Sequence, residues 1–453
     1  MAWKPHFYRV GSHVLEREDI PVESDDLDKF IAAARKHIEP WLSAVFQAEH
    51  LNLLIGNGFS TAIAIQSGAT PAGMNKVAFG TDYDEKIDAH AEAAAQRMRR
   101  GDANIEDQFR SAIAVLEGLQ VTDQGAATTL QTAMDAQLSS FLSALLKTER
   151  DIAIATDSEA GDRAAALLQS FLLSFASRTA SRERLHVFTT NYDRLIEHGS
   201  DLAGLRLIDR FVGALTPMFR SSRVDVDVHY NPPGIRGEPR FMEGVIRLTK
   251  LHGSLDWHYD PTQRTIRRLG IPFGAPDDHT DIPANPIDTV MIYPNPAKDV
   301  ETTAFPYAEL FRDFAAALCR PNAVVVTYGY GFGDDHVNRV LLDMLTIPST
   351  HIVVIAYEAD DRLEYFCERT RQAQVTLLLG SHFAALDNLV QHYLPKPALD
   401  YITSRLTELL KHRLPPEHEP EQPAGVTVEH ALAEPLMDPP HSDAADDGDD
   451  ETD

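Results

Sequence analysis

Cysteine is nearly absent: 453 residues hold only two, Cys319 and Cys367. Their spacing makes no metal signature and no disulfide framework. A four-cysteine zinc site cannot be built from them, and buried free thiols are the plain expectation. Long apolar runs are missing too. No stretch approaches the ~20 consecutive apolar residues that span a bilayer. The opening Met1-Ala-Trp-Lys-Pro-His6 is not followed by the apolar core of a signal peptide, so a soluble, cytoplasmic chain without a membrane partner is expected. Basic residues are scarce, with 41 Lys and Arg against 68 Asp and Glu, a formal charge of −27. Such a chain has no general field for strong direct nucleic-acid binding. Two local basic groups, Arg97 with Arg99 and Arg100, and Arg264 with Arg267 and Arg268, read as solvated faces.

The length suits two to three domains. Residues 415–453 carry thirteen Asp or Glu and no Lys or Arg, with abundant Pro. Such a segment cannot bury enough apolar surface to offset the entropy of ordering. It reads as a disordered acidic tail, either a solubilising extension or a docking peptide for a partner. Residues 25–48 read as a helix, with Leu27, Phe30, Ile31, Ala34 and Ile38 near helical spacing and Pro40 as a kink or restart. Leu51-Asn-Leu-Leu-Ile55 has the shape of a buried parallel strand.

Between about 83 and 180 the texture becomes helical. Leu116, Leu119, Leu130, Met134, Leu138, Phe141, Leu142, Leu145 and Leu146 mark one or two long helices, and Leu167, Leu168, Phe171, Leu172 and Phe175 another. Alternation then resumes: strand 185–188, a helix opening at 192–198, β-rich runs over 223–260 and 288–293, helix 305–318, strand 323–327, helix 334–346, strand 351–356, helix 361–373. Strands alternating with helices predict an α/β domain, a Rossmann-like and mostly parallel sheet with helices on both faces. That domain is expected to be discontinuous, 1–82 and 181–414, with an all-helical insert at 83–180.

Four segments carry polar chemistry at strand ends. Gly56-Asn57-Gly58-Phe59-Ser60 follows the first strand and precedes a helix. Its glycines suit a close approach to a pyrophosphate at helix amides; a simple tight turn fits the same residues. Thr61 stands where a dinucleotide fingerprint wants a third glycine. Residues 75–85 show no second strand ending in an acid, which disfavours a dehydrogenase. Phe188-Thr189-Thr190-Asn191-Tyr192-Asp193 offers a carboxamide for ribose hydroxyls or water, or merely a helix cap. Lys250-Leu251-His252-Gly253-Ser254 offers an imidazole base, or a structural histidine. Gly329-Tyr330-Gly331-Phe332-Gly333-Asp334-Asp335-His336 suits a second close backbone approach, or a flexible turn.

Taken in order, the four segments resemble the sirtuin-like family, and most closely its zinc-free bacterial branch of NAD hydrolases associated with antiphage defence. The likeness covers roughly 50–80 and 185–360, and Asn104-Ile-Glu-Asp107 is similar to a segment of that branch. The resemblance implies NAD as substrate and no metal. It implies a diphosphate site at Gly56, Asn57, Gly58 and Ser60, catalytic roles for Asn191 and His252, and support from Thr190 and Asp193. Gly329, Gly331 and Asp334 would approach the dinucleotide, with Glu358 at the adenosine ribose. The implied reaction is hydrolysis to nicotinamide and ADP-ribose, linear or cyclised, by a gated effector. Homo-oligomers and association with a HerA-type ATPase or other defence partner follow by analogy. The missing zinc cysteines and the insert depart from the deacylase pattern. A protein deacylase or ADP-ribosyltransferase, a non-catalytic NAD or ADP-ribose sensor, and a purely structural subunit remain as alternatives.

Overall fold

A computed structural model describes residues 3–397, apart from 98–100, 156–157, 180, 222–226, 231–239, 261, 277, 283–288 and 292–304. The described residues belong to one compact unit, Met1–Tyr401. The tail expected at 415–453 lies outside the described residues, as do Arg99 and Arg100.

The centre is a nine-stranded sheet, its strands numbered in chain order. They are β1 (His6–Val10), β2 (His13–Arg17), β3 (His50–Ile55), β4 (His186–Thr189), β5 (Arg206–Ile208), β6 (Val245–Lys250), β7 (Ala323–Tyr328), β8 (His351–Ala356) and β9 (Val375–Leu379). Their spatial order is β2-β1-β9-β8-β7-β3-β4-β6-β5. From β9 to β5 every pairing is parallel, and the β1–β2 hairpin adds to β9 antiparallel. In β3, Leu51, Leu53, Leu54 and Ile55 are all buried, and β7 is buried throughout. Strands covered on both faces must be apolar on both, which is why these two read as continuous hydrophobic runs.

Among the described residues, ten α-helices of eight residues or more surround the sheet and extend from it: α1 (Ser24–Val45), α2 (Asn57–Ser67), α3 (Asp84–Arg97), α4 (Ile105–Thr122), α5 (Gln124–Ala155), α6 (Glu159–Ala176), α7 (Leu195–Leu202), α8 (Tyr307–Leu318), α9 (Asp335–Met344) and α10 (Asp361–Glu368). Pro40 lies inside α1, which continues through it. One core joins Ile38 and Leu42 of α1, Phe59 and Ile63 of α2, Phe171 and Phe175 of α6 and Leu195 of α7 to the sheet. The opposite core joins Leu310 and Phe314 of α8, Val337 and Leu341 of α9 and Phe366 of α10. A third core, with Ile87, Phe109, Leu116, Leu130 and Leu138, belongs to α3, α4 and α5. α6, the last helix described before 180, thus joins the first core, packing on α2 and α7 as well as on α5, which adds Ile152 to the same core.

The two central strands send their helices to opposite faces. β3 leads into α2 in the first core, and its parallel neighbour β7 leads into α9 in the second. Adjacent parallel strands that diverge in this way leave a crevice outside their carboxyl ends. Gly56 and Gly329 border it. Beyond β6, the strand Gly253–Asp260 opens a second sheet, antiparallel to Thr265–Arg268 and to Thr289–Met291. Among the described residues, no helix is long and apolar enough to cross a membrane.

Candidate functional site

The crevice is closed at its base by glycines. The Gly56 N–H donates to Tyr328 O at 3.1 Å and the Gly58 N–H to Gly329 O at 3.0 Å. A Cβ on Gly56 would lie 2.5 Å from Gly329 O, and one on Gly58 2.7 Å from Gly329 Cα. Gly329 itself sits at φ +63°, with its would-be Cβ 2.6 Å from Phe59 N. Only glycine lets the two loops lie this close. The packing places the first turn of α2, beginning at Asn57, at the crevice floor.

From β4 the chain enters a fixed loop. Thr189 Oγ1 donates to Ile55 O at 2.9 Å and accepts from the Asn191 N–H at 3.0 Å. The Asn191 carboxamide donates from Nδ2 to Gly56 O at 3.0 Å and to Ser60 Oγ at 2.9 Å. Ser60 Oγ in turn donates to Asp193 Oδ2 at 2.6 Å, and Asp193 Oδ1 accepts from the Leu195 N–H at 3.1 Å. Asp193, not Asn191, thus holds the first amide of α7, whose N-cap is Arg194 and which starts at Leu195 rather than at residue 192. A carboxamide has one donor and one acceptor end. The donor end of Asn191 is committed to the glycine loop, and its oxygen is the end that can serve a ligand.

Behind this loop lies a buried charge network. Lys250, 2% exposed, donates from Nζ to Ser254 Oγ at 2.9 Å and to Glu197 Oε1 at 3.1 Å. It also donates to the Asp193 and Tyr192 carbonyls. Glu149 of α5, 1% exposed, accepts the Arg194 backbone N–H at 2.8 Å and pairs with the Arg194 guanidinium at 2.5 Å. Burial raises the Glu149 carboxyl to about 7, with Arg194 opposing the rise. Burial also raises Glu197, with Lys250 opposing.

His252 stands at the turn from β6 into Gly253, which has φ +84°, and is buried. Its Nε2 lies 3.0 Å from Nε2 of His336, also buried, in the first turn of α9. Together these elements enclose a cavity of about 340 Å³ whose walls include Gly56, Asn57, Thr190, Asn191, Asp193, His252, Gly329, Gly331 and Asp334. These residues, from four separate chain segments, thus meet in one place. Gly58 and Ser60 stand behind the wall as supports. Glu358 is exposed past the end of β8 and is not among the lining residues.

The family model of the SIR2-like domain matches residues 185–376. The chain carries a SIR2-like domain. It is sirtuin-like from β4 to the start of β9, and β3 with the Gly56 loop, lying before the matched segment, completes the sheet between β4 and β7. Comparison with curated proteins gave no match.

The pocket has walls that the sequence did not reveal as such. Tyr192, Tyr330 and Gly333 are neighbours of flagged residues. Arg362, at the start of α10, is not; it reaches the pocket beside Gly331, whose would-be Cβ lies 3.7 Å from its Nη2. Asn104 and Glu106 open α4, Phe141 and Leu145 lie on α5, and Ala72 and Met74 precede α3. Phe141 and Leu145 read as helical core positions, and the Asn104 segment stood out only through its resemblance. For Arg362 no sequence signal existed. The donor set fits a dinucleotide. Helix amides at Asn57 and the Arg362 guanidinium suit a diphosphate, and Asn191 and His252 suit ribose hydroxyls.

Proposed function

We propose that the chain hydrolyses NAD to nicotinamide and ADP-ribose. The observation that carries this reading is that Asn191 and His252, from the ends of β4 and β6, line the same pocket as the Gly56 and Gly329 loops. Nicotinamide in NAD is already a cationic leaving group and needs no acid. The transition state resembles an oxocarbenium ion, as in other glycosyl transfers. Asn191, held through its nitrogen, presents its oxygen to a ribose hydroxyl or to water. His252 accepts the proton of the attacking water, whose oxygen forms the new bond to the ribose anomeric carbon as the bond to nicotinamide breaks. A ribose hydroxyl or the adenine in place of water would give a cyclic product. Hydrolysis is favoured over deacylation because the chain lacks the zinc cysteines of the deacylases.

An unrestrained NAD hydrolase would be toxic to its cell. The wall contributed by α4 and α5 is the part of the pocket able to gate entry, and the reading extends to a gated effector of antiphage defence, oligomeric or paired with a HerA-type ATPase. That extension rests on the resemblance of the ordered motifs. Incubating the wild type, Asn191→Ala and His252→Ala with NAD, alone and with candidate partners, and quantifying nicotinamide tests the chemistry. Release by the wild type and its loss in both variants supports it. No release under any condition, or release that survives both substitutions, overturns it.

A further inference from the structure

The motif after β7 ends in Asp334-Asp335-His336, and the reaction above uses none of these side chains as a base. Yet Nε2 of His336 lies 3.0 Å from Nε2 of His252, with the two rings tilted by 30° and both side chains buried. Phe311 of α8 backs His336 with ring centroids 4.9 Å apart. A carboxylate oxygen of Asp334 completes a group whose three ligand atoms all lie within 4.8 Å of one another.

Two explanations meet at this spacing, a bound metal and a shared proton, and the test below distinguishes them. Two imidazole nitrogens on one tetrahedral zinc, with bonds of ~2.0–2.1 Å, stand about 3.3 Å apart. Two imidazoles sharing a proton stand at hydrogen-bond distance, near 2.9–3.0 Å. At 3.0 Å the pair stands at hydrogen-bond distance. One nitrogen of the pair must then donate and the other accept.

We propose that His336 is a positioning residue for His252. It accepts the Nε2–H of His252 and so holds that ring in a single tautomer and orientation, in which Nδ1 is the basic nitrogen. When Nδ1 takes a proton from the attacking water, His252 becomes an imidazolium whose Nε2–H remains on His336. The nearby Asp334 carboxylate offsets the new positive charge. The partner of a working imidazole sets which nitrogen reacts. This inference rests on the NAD-hydrolysis reading for its kinetic consequence, though not for the hydrogen bond itself.

The test compares wild type, His336→Leu and His336→Gln in the full chain. Leucine removes the acceptor, while glutamine restores an acceptor oxygen. With NAD as substrate, His336→Leu should lower kcat by about 10- to 100-fold with KM within about threefold, and His336→Gln should recover most of the loss. Unchanged kcat in His336→Leu, a loss confined to KM, or no recovery with glutamine overturns the proposal. So does stoichiometric bound metal whose removal by EDTA abolishes activity. A second readout is independent of turnover. Long-range proton–nitrogen spectra of the histidine rings, with His252 assigned by its absence in His252→Ala, should show the Nε2–H tautomer in wild type and its loss in His336→Leu. If the tautomer responds in this way while NAD is untouched, the pairing stands and the hydrolase reading falls. If it does not respond, the pairing falls.

Discussion

Substituting alanine at Gly329 and at Gly331 makes the same chemical change two residues apart and should give opposite results. At Gly329 the backbone has φ +63°, and the added methyl would lie 2.6 Å from Phe59 N, 2.7 Å from Gly58 C and 2.8 Å from Gly58 Cα. The left-handed conformation costs an L-residue about 1–2 kcal/mol. Contacts below 3 Å with backbone rather than with a flexible side chain force the two loops apart, adding about 1–3 kcal/mol of overpacking strain. A total loss of about 2–5 kcal/mol is a large part of the roughly 5–15 kcal/mol that keeps a domain folded. At Gly331 the methyl meets only the Arg362 guanidinium, at 3.7 Å, which is ordinary contact, and a change within about 0.5 kcal/mol is expected. Denaturant unfolding of the two variants reads this difference directly. Nicotinamide release should follow it, because a shift of about 1 Å in a positioned group can cost about a hundredfold in rate. Equal stabilities for the two variants would refute the claim that the glycine interlock sets the geometry of the crevice.

Two further outcomes follow from the buried charges. Glu149 is raised from its ordinary 4.5 to about 7 in the fold, so the folded chain holds that proton more tightly than the unfolded chain. Its contribution to stability is full below about 4.5 and fades as pH rises toward about 7; Glu149→Gln should flatten this slope in unfolding curves recorded across that window. Lys250→Met should destabilise by about 3–5 kcal/mol, because Glu197 is left in the interior without its cation. Thermal and denaturant unfolding measure it, and a neutral result would show that Glu197 relaxes to water or a proton.

The parts of this fold that could be read from the chain are those where local pattern and final environment agree. β3 and β8 are apolar runs because helices cover both their faces. The helices between 83 and 180 show their spacing because α3, α4 and α5 bury one another. The β1–β2 hairpin was not visible: its His and Arg residues carry no alternation, and its pairing partner β9 lies more than 350 residues away. α7 begins at Leu195 and not at Tyr192 because Asp193, Ser60 and Lys250 hold the intervening residues in a loop, and contacts of that range leave no local trace. The candidate pocket was legible at its glycines and at Asn191 and His252, where residue type and strand-end position coincide. Arg362 and His336 open ordinary-looking helices, and only through-space proximity sets them apart. Glu358 follows a strand end, but the chain there turns outward toward α10.

The pairing of Glu149 with Arg194 has a mechanical side. α5 has 32 residues, a rod of about 48 Å at 1.5 Å per residue. Near its far end it grips, through Glu149, the peptide three residues from Asn191. A displacement of that rod has a short, stiff route, through Glu149 and Arg194, to the loop that holds the Asn191 carboxamide.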